Sequence, residues 1–159
     1  VVAFAFSSSS VTEGSAAVSF TATADPVSGL DVSIPFTISD TSTAIADDYT
    51  ISGTEIVITA GSTTGSVTIT AVDDTEIETL ETLVITVGSI TNGTTEATDL
   101  TLNLDSDDDS TVTSIVADPT SFAEDASTTV TATIDAASSR DLSIPLTLTG
   151  TATTDIKIK

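Results

Sequence analysis

Apolar and polar residues alternate with a period of two along most of the chain. The run VSFTATAD (18–25) sets valine, phenylalanine and alanine against serine and threonine, and DVSIPFTIS (31–39), GSVTITAV (65–72), LVITV (83–87) and DLTLNL (99–104) alternate in the same way. Threonine on the polar side of such runs is typical of half-buried antiparallel strands. Turn-forming stretches such as DPVSG, AGSTTG and TNGTT separate the runs, and no segment keeps a helical period. The pattern therefore predicts an all-β protein, either a sandwich or a barrel.

The same strand pattern occurs twice. GLDVSIPFTIS (29–39) returns as SRDLSIPLTLT (139–149), at a spacing of about 110 residues. Residues 1–109 are therefore predicted to form one complete repeat, and residues 111–159 the first part of a second, truncated copy. The second copy has no counterpart of AVDDTEIETLE (71–81). We expect it to be incompletely folded when it is alone.

Charge is extremely one-sided. The 159 residues include 24 Asp and Glu but only 3 Lys and Arg, which gives a formal net charge of −21. The cations are Arg140, Lys157 and Lys159, so the first 139 residues contain no basic side chain and no histidine. This balance argues against nucleic acid and anionic membrane surfaces as partners. No run approaches the roughly 20 apolar residues of a membrane helix, so direct membrane insertion is not expected.

The carboxylates gather at predicted turns: Glu13, residues 47–48, residues 73–81 and residues 105–109. Loops of a sandwich meet at its two ends, so several of these groups can converge. Like charges within about 4–6 Å destabilise one another, and a bound divalent cation reverses that effect. Calcium suits such a cluster because it takes 6–8 oxygen ligands, whereas zinc and copper favour the His and Cys that are absent. The alternative is that the acids are simply solvated.

Three stretches carry a resemblance to a known family: VTEGSAAVSFTATAD (11–25), ADDYTISGTEIVITAGSTTGSVTITAVDDTEIETLETLVITV (46–87) and DSDDDSTVT (105–113). They resemble the Calx-beta domain, a module of sodium/calcium exchangers and of many extracellular repeat proteins. The resemblance implies an antiparallel, Ig-like β-sandwich of about seven strands. It also implies calcium (Ca²⁺) bound at one end of the sandwich.

The resemblance also implies a set of calcium ligands in this sequence. They are Glu13, Asp48, Asp73, Asp74, Glu78, Glu81, Asp107, Asp108 and Asp109. Thr75 stands where the family can have a third aspartate, and Asp105 and Ser106 precede the final triplet. In the second copy, Glu124, Asp125 and Asp155 match parts of the pattern, but no complete site is expected there.

The same residues bear on three other functions. An enzyme is not expected, because no His or Cys is available as a nucleophile or base and the few aromatic residues mostly fall on core-facing strand positions. Threonine ladders could adsorb to ice if they occupied adjacent strands in one plane, but threonine is also the ordinary choice for an exposed strand face. Ligand binding by an outward loop is a further alternative.

The sequence thus predicts a calcium-binding structural repeat of a large bacterial surface or extracellular protein, such as an adhesin, stalk or filament. Calcium would stiffen the end of the domain and the junction between repeats. Its expected partners are adjacent repeats of the same chain, with neighbouring copies in a filament or a cell-surface ligand as further candidates. The alternative functions are a regulatory calcium-sensing domain of a membrane transporter and a ligand-binding adhesion module.

Overall fold

A computed structural model of the protein describes residues 1–95, 97, 99–123, 125–136, 138, 141–147 and 149–150. Within them the structure is all β, which confirms the predicted fold class. The strands are β1 (Val2–Phe6), β2 (Ser10–Thr12), β3 (Val18–Ala24), β4 (Val32–Ile38), β5 (Tyr49–Ile51), β6 (Glu55–Ile58), β7 (Thr64–Ala71), β8 (Glu81–Val87), β9 (Asp99–Asp105), β10 (Val112–Asp118) and β11 (Thr129–Ile134).

Strands β1 to β9 form a sandwich of two sheets. One sheet has four strands in the order β1-β3-β7-β5, and the other has five in the order β2-β9-β8-β4-β6. More strands are present than the seven or so expected, partly because the chain leaves one sheet after β1 and joins the other at β2. All pairs are antiparallel except β2 with β9, which run parallel. No helix long and apolar enough to cross a bilayer occurs in the described part of the chain.

The alternation seen in the sequence places one face of each strand in the core. Val18, Phe20, Ala22 and Ala24 of β3 are all buried, while the residues between them are not. Phe20 lies at the centre, with its ring centroid 5.1 to 5.7 Å from the rings of three other phenylalanines, Phe4, Phe6 and Phe36. Isoleucine, leucine and valine side chains from both sheets complete the apolar core.

The topology brings the acidic turns to one end of the sandwich. β7 runs toward Asp73, and β5, which is antiparallel to β7, begins immediately after Asp48. β8 is antiparallel to β9 and begins at Glu81. Because β2 is parallel to β9, Glu13 leaves its sheet at the same end as residues 106–109. The convergence that the strand pattern allowed is thus present in the structure.

The second copy repeats the local structure of the first. From Ser114 onward β10 pairs with β11 in the register that β1 uses with β3, so that Ile115 faces Ala132 as Phe4 faces Ala22; unlike β1, β10 has a register shift between Val112 and Ser114. The backbone agrees at the turn as well, where Asp125 has a φ of 69° and its counterpart Gly14 a φ of 63°. The bounds 1–109 and 111–159 remain predictions. Of the partial site expected here, Glu124 and Asp155 lie outside the described residues.

Candidate metal centre

Six of the predicted ligands form two groups at the acidic end. Glu13, Asp74 and Asp108 make up the first group, and Asp48, Glu78 and Glu81 make up the second. Within each group, one carboxylate oxygen from every residue lies within 4.8 Å of the others, and either group could hold a metal ion. Each group joins residues from distant parts of the chain, so only the folded sandwich assembles it.

The first group is held in place by the end of the parallel strand pair. The Glu13 amide donates to the carbonyl of Asp105 at 3.0 Å, which extends the β2–β9 pairing by one residue. Gly14 then turns the chain with a positive φ, a conformation that costs glycine little. A Cβ at Gly14 would lie 3.1 Å from Oδ1 of Asp73. Glycine therefore also leaves room for that carboxylate beside the first group.

The second group depends on the turn before β5. Asp48 accepts a hydrogen bond from the amide of Ile45 through its Oδ2 atom, and its own carbonyl accepts from Val72 at 2.8 Å. These contacts fix Asp48 between the turn and the end of β7. Glu78 and Glu81 reach it from the segment that leads into β8.

Three carboxylate oxygens at this end are buried without any hydrogen-bond partner: Oε2 of Glu13, Oε2 of Glu81 and Oδ2 of Asp108. Glu13 is the most deeply placed, with only 7% of its surface exposed. A buried carboxylate oxygen with no hydrogen-bond donor destabilises the fold, because it has lost its hydrogen bonds to water and formed no others. Each group contains at least one such oxygen, and a cation would satisfy it.

Burial and mutual repulsion raise the pKa of these acids. Burial, followed by the charges of Asp74, Glu78 and other acids, raises the pKa of Glu13 to about 7. Burial, together with a hydrogen bond to Asp48 and that residue's charge, likewise raises the pKa of Glu81 to about 7. Since the charge of Glu13 raises the pKa of Glu81, the two groups are electrostatic neighbours.

The same causes act on Glu78 and Asp108. Burial and then the charge of Asp48 raise the pKa of Glu78, and burial and then the charge of Asp107 raise the pKa of Asp108. The charge of Asp74, in the first group, also raises the pKa of Glu78, in the second group. The two groups therefore form one negatively charged cluster.

Three predicted ligands lie outside both groups but close to them. Asp73 and Asp109 raise the pKa of Asp108, and Asp107 raises the pKa values of both Asp108 and Glu13. They surround the first group without supplying one of its converging oxygens. Their placement makes them an outer layer of charge that strengthens the attraction for a cation.

The residues that support the site are hard to identify from the sequence. Ile77, within the acidic loop, is fully buried and forms an isolated parallel bridge with Ser138 of the second copy. The Ser106 hydroxyl donates to the carbonyl of Glu76 and accepts from the amide of Asp108, at 3.3 Å in each case. In the sequence, Ile77 stands out only as an apolar residue among acids. These contacts link the loop to both the last strand and the second copy.

The chemistry of the site is that of a hard-cation centre. All converging ligands are carboxylate oxygens, they lie in loops or, for Glu81, at the first residue of a strand, and the chain offers no basic side chain before Arg140 to neutralise them. Oxygen ligands on flexible loops suit calcium, whereas magnesium demands a tighter octahedron. The residues present therefore fit a divalent cation, and calcium better than magnesium.

Comparison with known proteins identifies solved structures of similar fold. No protein-family model and no curated protein sequence matches the chain. Among solved structures, CBD12 from CALX1.2 matches with a TM-score of 0.56 at 17% identity, over 70% of this chain and 48% of that one. The calcium binding domain CBD12 of CALX1.1 matches with a TM-score of 0.54 at 16% identity, over 70% of this chain and 50% of that one.

These matches span about half of each solved chain, and at such identities they establish the fold alone. The β-sandwich fold implied by the Calx-beta resemblance is therefore confirmed. The protein is a β-sandwich with the fold of the CBD12 domains of CALX1.1 and CALX1.2.

Proposed function

We propose that the protein is a calcium-binding β-domain whose site is the acidic end described above. The observation that carries the proposal is the set of buried, unpartnered carboxylate oxygens on Glu13, Glu81 and Asp108 within two converging groups. Fold similarity to a solved calcium binding domain supports the choice of ion. Glu13, Asp74 and Asp108 would hold one ion and Asp48, Glu78 and Glu81 another.

Bound calcium would supply the positive charge that the first 139 residues lack. It would satisfy the buried oxygens and turn repulsion between β-strand ends into attraction to a shared ion. Because the loop that carries Glu76 and Glu78 also bridges Ser138 through Ile77, ordering the site would order the contact with the second copy. Calcium would thus control both the stability of the sandwich and its junction.

The test is a thermal melt of the 159-residue protein, first in excess chelator and then in calcium, with magnesium as the ionic control. At a calcium concentration of 100 times Kd, binding to the folded state contributes about 2.7 kcal/mol. The melting temperature should then rise by roughly 10 °C. Magnesium should produce a much smaller shift.

Matched variants locate the effect. Glu13→Gln and Glu81→Gln each remove one negative charge from the site, and Glu55→Gln removes one from strand β6, outside both groups. We expect the calcium shift to be reduced at least by half in the first two variants and retained in the third. A calcium shift that is absent in the wild type, or equal in all three variants, contradicts the proposal.

Two settings are compatible with calcium binding, and we propose the sensing one as the first candidate. The solved structures with this fold favour a regulatory calcium-sensing domain, such as one attached to a transporter, over a spacer. The second candidate is the extracellular spacer of a surface protein. The repeated register of β10 and β11 supports it, because spacers are built from tandem copies.

Affinity separates the two settings. Sensor sites bind calcium with a Kd of about 10⁻⁷–10⁻⁵ M, and extracellular modules with a Kd of about 10⁻⁴–10⁻³ M. Isothermal titration of the whole chain at 0.15 M salt gives this value directly. A micromolar Kd supports sensing, and a Kd near a millimolar supports the spacer at a cell surface.

A further inference from the structure

The connection between β4 and β5, residues 39–48, passes from one sheet of the sandwich to the other at the acidic end. β4 belongs to the five-stranded sheet and β5 to the four-stranded sheet. We call this connection the strap. It ends at Asp48, which supplies one carboxylate of the second group, while Glu81 supplies another from the first residue of β8. The path of the strap therefore affects how closely these two carboxylates approach.

The strap lies along an edge of β8 that β4 leaves unpaired. β4 pairs with β8 only at residues 85–87 of the latter. Closer to the acidic end, the backbone of β8 bonds to the strap instead. The carbonyl of Thr82 accepts a hydrogen bond from the amide of Thr43 at 3.0 Å, and the carbonyl of Val84 accepts one from the amide of Ser39 at 2.9 Å. The strap thus takes over the role of β4 beside this part of β8.

Two hydroxyl groups of the strap complete this edge. The amide of Thr82 donates to Oγ1 of Thr43 at 2.8 Å, and the amide of Val84 donates to Oγ of Ser42 at 3.0 Å. Side-chain oxygens therefore stand where a neighbouring strand would offer backbone carbonyls. A half-buried amide that loses its acceptor destabilises the fold, so both hydroxyls help to hold the strap on β8. We call Ser42 and Thr43 the hydroxyl clasp.

The hydroxyl clasp lies beside the second group of carboxylates. Thr82 directly follows Glu81, so its bonds to Thr43 hold the strap one residue from a carboxylate of that group. Ala44, next along the strap, is buried in the apolar core. At the far end of the strap, the carbonyl of Asp48 accepts a hydrogen bond from the segment that follows β7. The strap is thus attached to both sheets on either side of the group.

Repulsion opposes this arrangement when no cation is bound. Carboxylate oxygens of Asp48, Glu78 and Glu81 lie within 4.8 Å of one another, and Oε2 of Glu81 is buried without a hydrogen-bond partner. Like charges at this distance favour separation of the strap from β8. The first 139 residues contain no basic side chain that could offset the repulsion. Hydrogen bonds between neutral groups, such as those of the hydroxyl clasp, must therefore keep the strap in place.

We propose that the hydroxyl clasp positions the second group for its cation, given the calcium-binding function proposed above. By holding the strap on β8, the clasp keeps Asp48 and Glu81 together before the ion binds. Ser42 and Thr43 are positioning residues, because neither belongs to a converging group. A site that is already assembled binds more tightly, since less conformational freedom is lost and more of the protein is competent to bind. Loss of the clasp should therefore weaken the second group more than the first, which depends on the pairing of β2 with β9.

Amide hydrogen exchange, followed by NMR of the whole 159-residue protein in chelator, tests the clasp itself. Thr43→Val keeps the shape of an exposed side chain and removes only its hydroxyl, so the variant should fold. The exchange rate of the Thr82 amide should rise by about tenfold or more, because its acceptor is lost. Thr43→Ser keeps the hydroxyl and should exchange within about threefold of the wild-type rate. Equal rates at Thr82 in the wild type and in Thr43→Val overturn the proposal.

Calcium titration of the same samples tests the effect on the cation, because the amide signals of Glu13 and Glu81 report the two groups separately. In Thr43→Val, the Kd read at Glu81 should rise by about threefold or more, and the Kd read at Glu13 should change by less than about twofold. Thr43→Ser should restore the wild-type values, which a general loss of stability would not explain. Ser42→Ala, read at the Val84 amide and at Glu81, repeats the test at the other hydroxyl.

The matched control is Thr59→Val. It removes a hydroxyl that lies 3.0 Å from that of Ser62, in the turn after β6 at the other end of the sandwich. Both Kd values should stay as in the wild type. Wild-type calcium binding with an unchanged Kd at Glu81 in Thr43→Val overturns the positioning role alone. A wild type that binds no calcium overturns both this role and the proposed function.

Discussion

The strand pairs β1–β3 and β10–β11 share their register from Ser114 onward, but they lie in two different environments. Phe20 of β3 is 0% exposed, whereas Val130, which occupies the equivalent place in β11, is 46% exposed. The first pair faces a five-stranded sheet, and within the described residues the second pair forms a two-stranded sheet on its own. Pairing register is thus set locally by residue alternation, while burial requires the partner sheet.

The largest expected effect comes from substituting the buried member of this comparison, Phe20. Phe20→Ala removes a fully buried ring that contacts three others and should lower the free energy of unfolding by about 3–5 kcal/mol. Val130→Ala, at the equivalent exposed position, should cost about 0.5 kcal/mol or less. Urea unfolding followed by circular dichroism gives both values. Similar losses in the two variants would mean that β11 is buried in the folded protein.

The second prediction concerns the acidic end, which only the first copy assembles within the described residues. Glu13 and Glu81 have pKa values of about 7 in the folded protein and about 4.3 in an unfolded chain. The folded state therefore binds more protons between these values. Without calcium, the contribution of these two carboxyls to the free energy of unfolding should be greatest below about pH 4.5. It should decrease as the pH rises to about 7.

The measurement is the melting temperature in chelator at pH 5 and pH 8. A loss of about 1 kcal/mol or more for each carboxyl corresponds to a fall of several degrees. Saturating calcium should flatten the dependence, because the ion stabilises the charged carboxylates. The double variant Glu13→Gln and Glu81→Gln should flatten it without calcium, and Glu55→Gln should leave it unchanged. A melting temperature that rises from pH 5 to pH 8 in chelator would contradict the placement of these two acids.

The smallest expected effect on stability concerns equivalent turn residues in the two copies, Gly14 and Asp125. Gly14 and Asp125 share a positive φ, but a Cβ at Gly14 would crowd the carboxylate of Asp73. Gly14→Ala should therefore cost about 1–2 kcal/mol, from backbone strain and from displacement of that carboxylate. Asp125→Gly should change stability by about 0.5 kcal/mol at most, because that turn is exposed. Thermal melts in chelator distinguish the two, and a neutral Gly14→Ala variant would show that the loop can move aside.

Much of the fold follows from the sequence because alternation is a local property. The runs at 18–25, 65–72 and 99–104 each coincide with a strand, and their apolar positions are buried, except for Val72 and Leu100, which are half-buried. The repeat is equally local, and the register that β1–β3 and β10–β11 share from Ser114 onward reflects it. The exchange of sheets between β1 and β2 did not follow, because a run of four serines specifies neither sheet.

The sequence also predicted an acidic site, but it did not predict how the carboxylates are divided into groups. Nine carboxylates were candidates, and the fold divides six of them into two groups and leaves Asp73, Asp107 and Asp109 around them. That division depends on the parallel pairing of β2 with β9, which sets Glu13 beside Asp108. Long-range pairing of this kind has no local signal.

Composition and alternation thus determined an all-β, strongly acidic, repeated chain, since each depends on neighbouring residues or on simple counts. Tertiary structure alone decided which carboxylates converge and which oxygens are buried without a partner. Those properties arise from contacts between residues 30 to 95 positions apart, such as Glu13 with Asp108 and Ser106 with Glu76. The physical reason is that a carboxylate acquires its pKa and its affinity for a cation from what surrounds it in space.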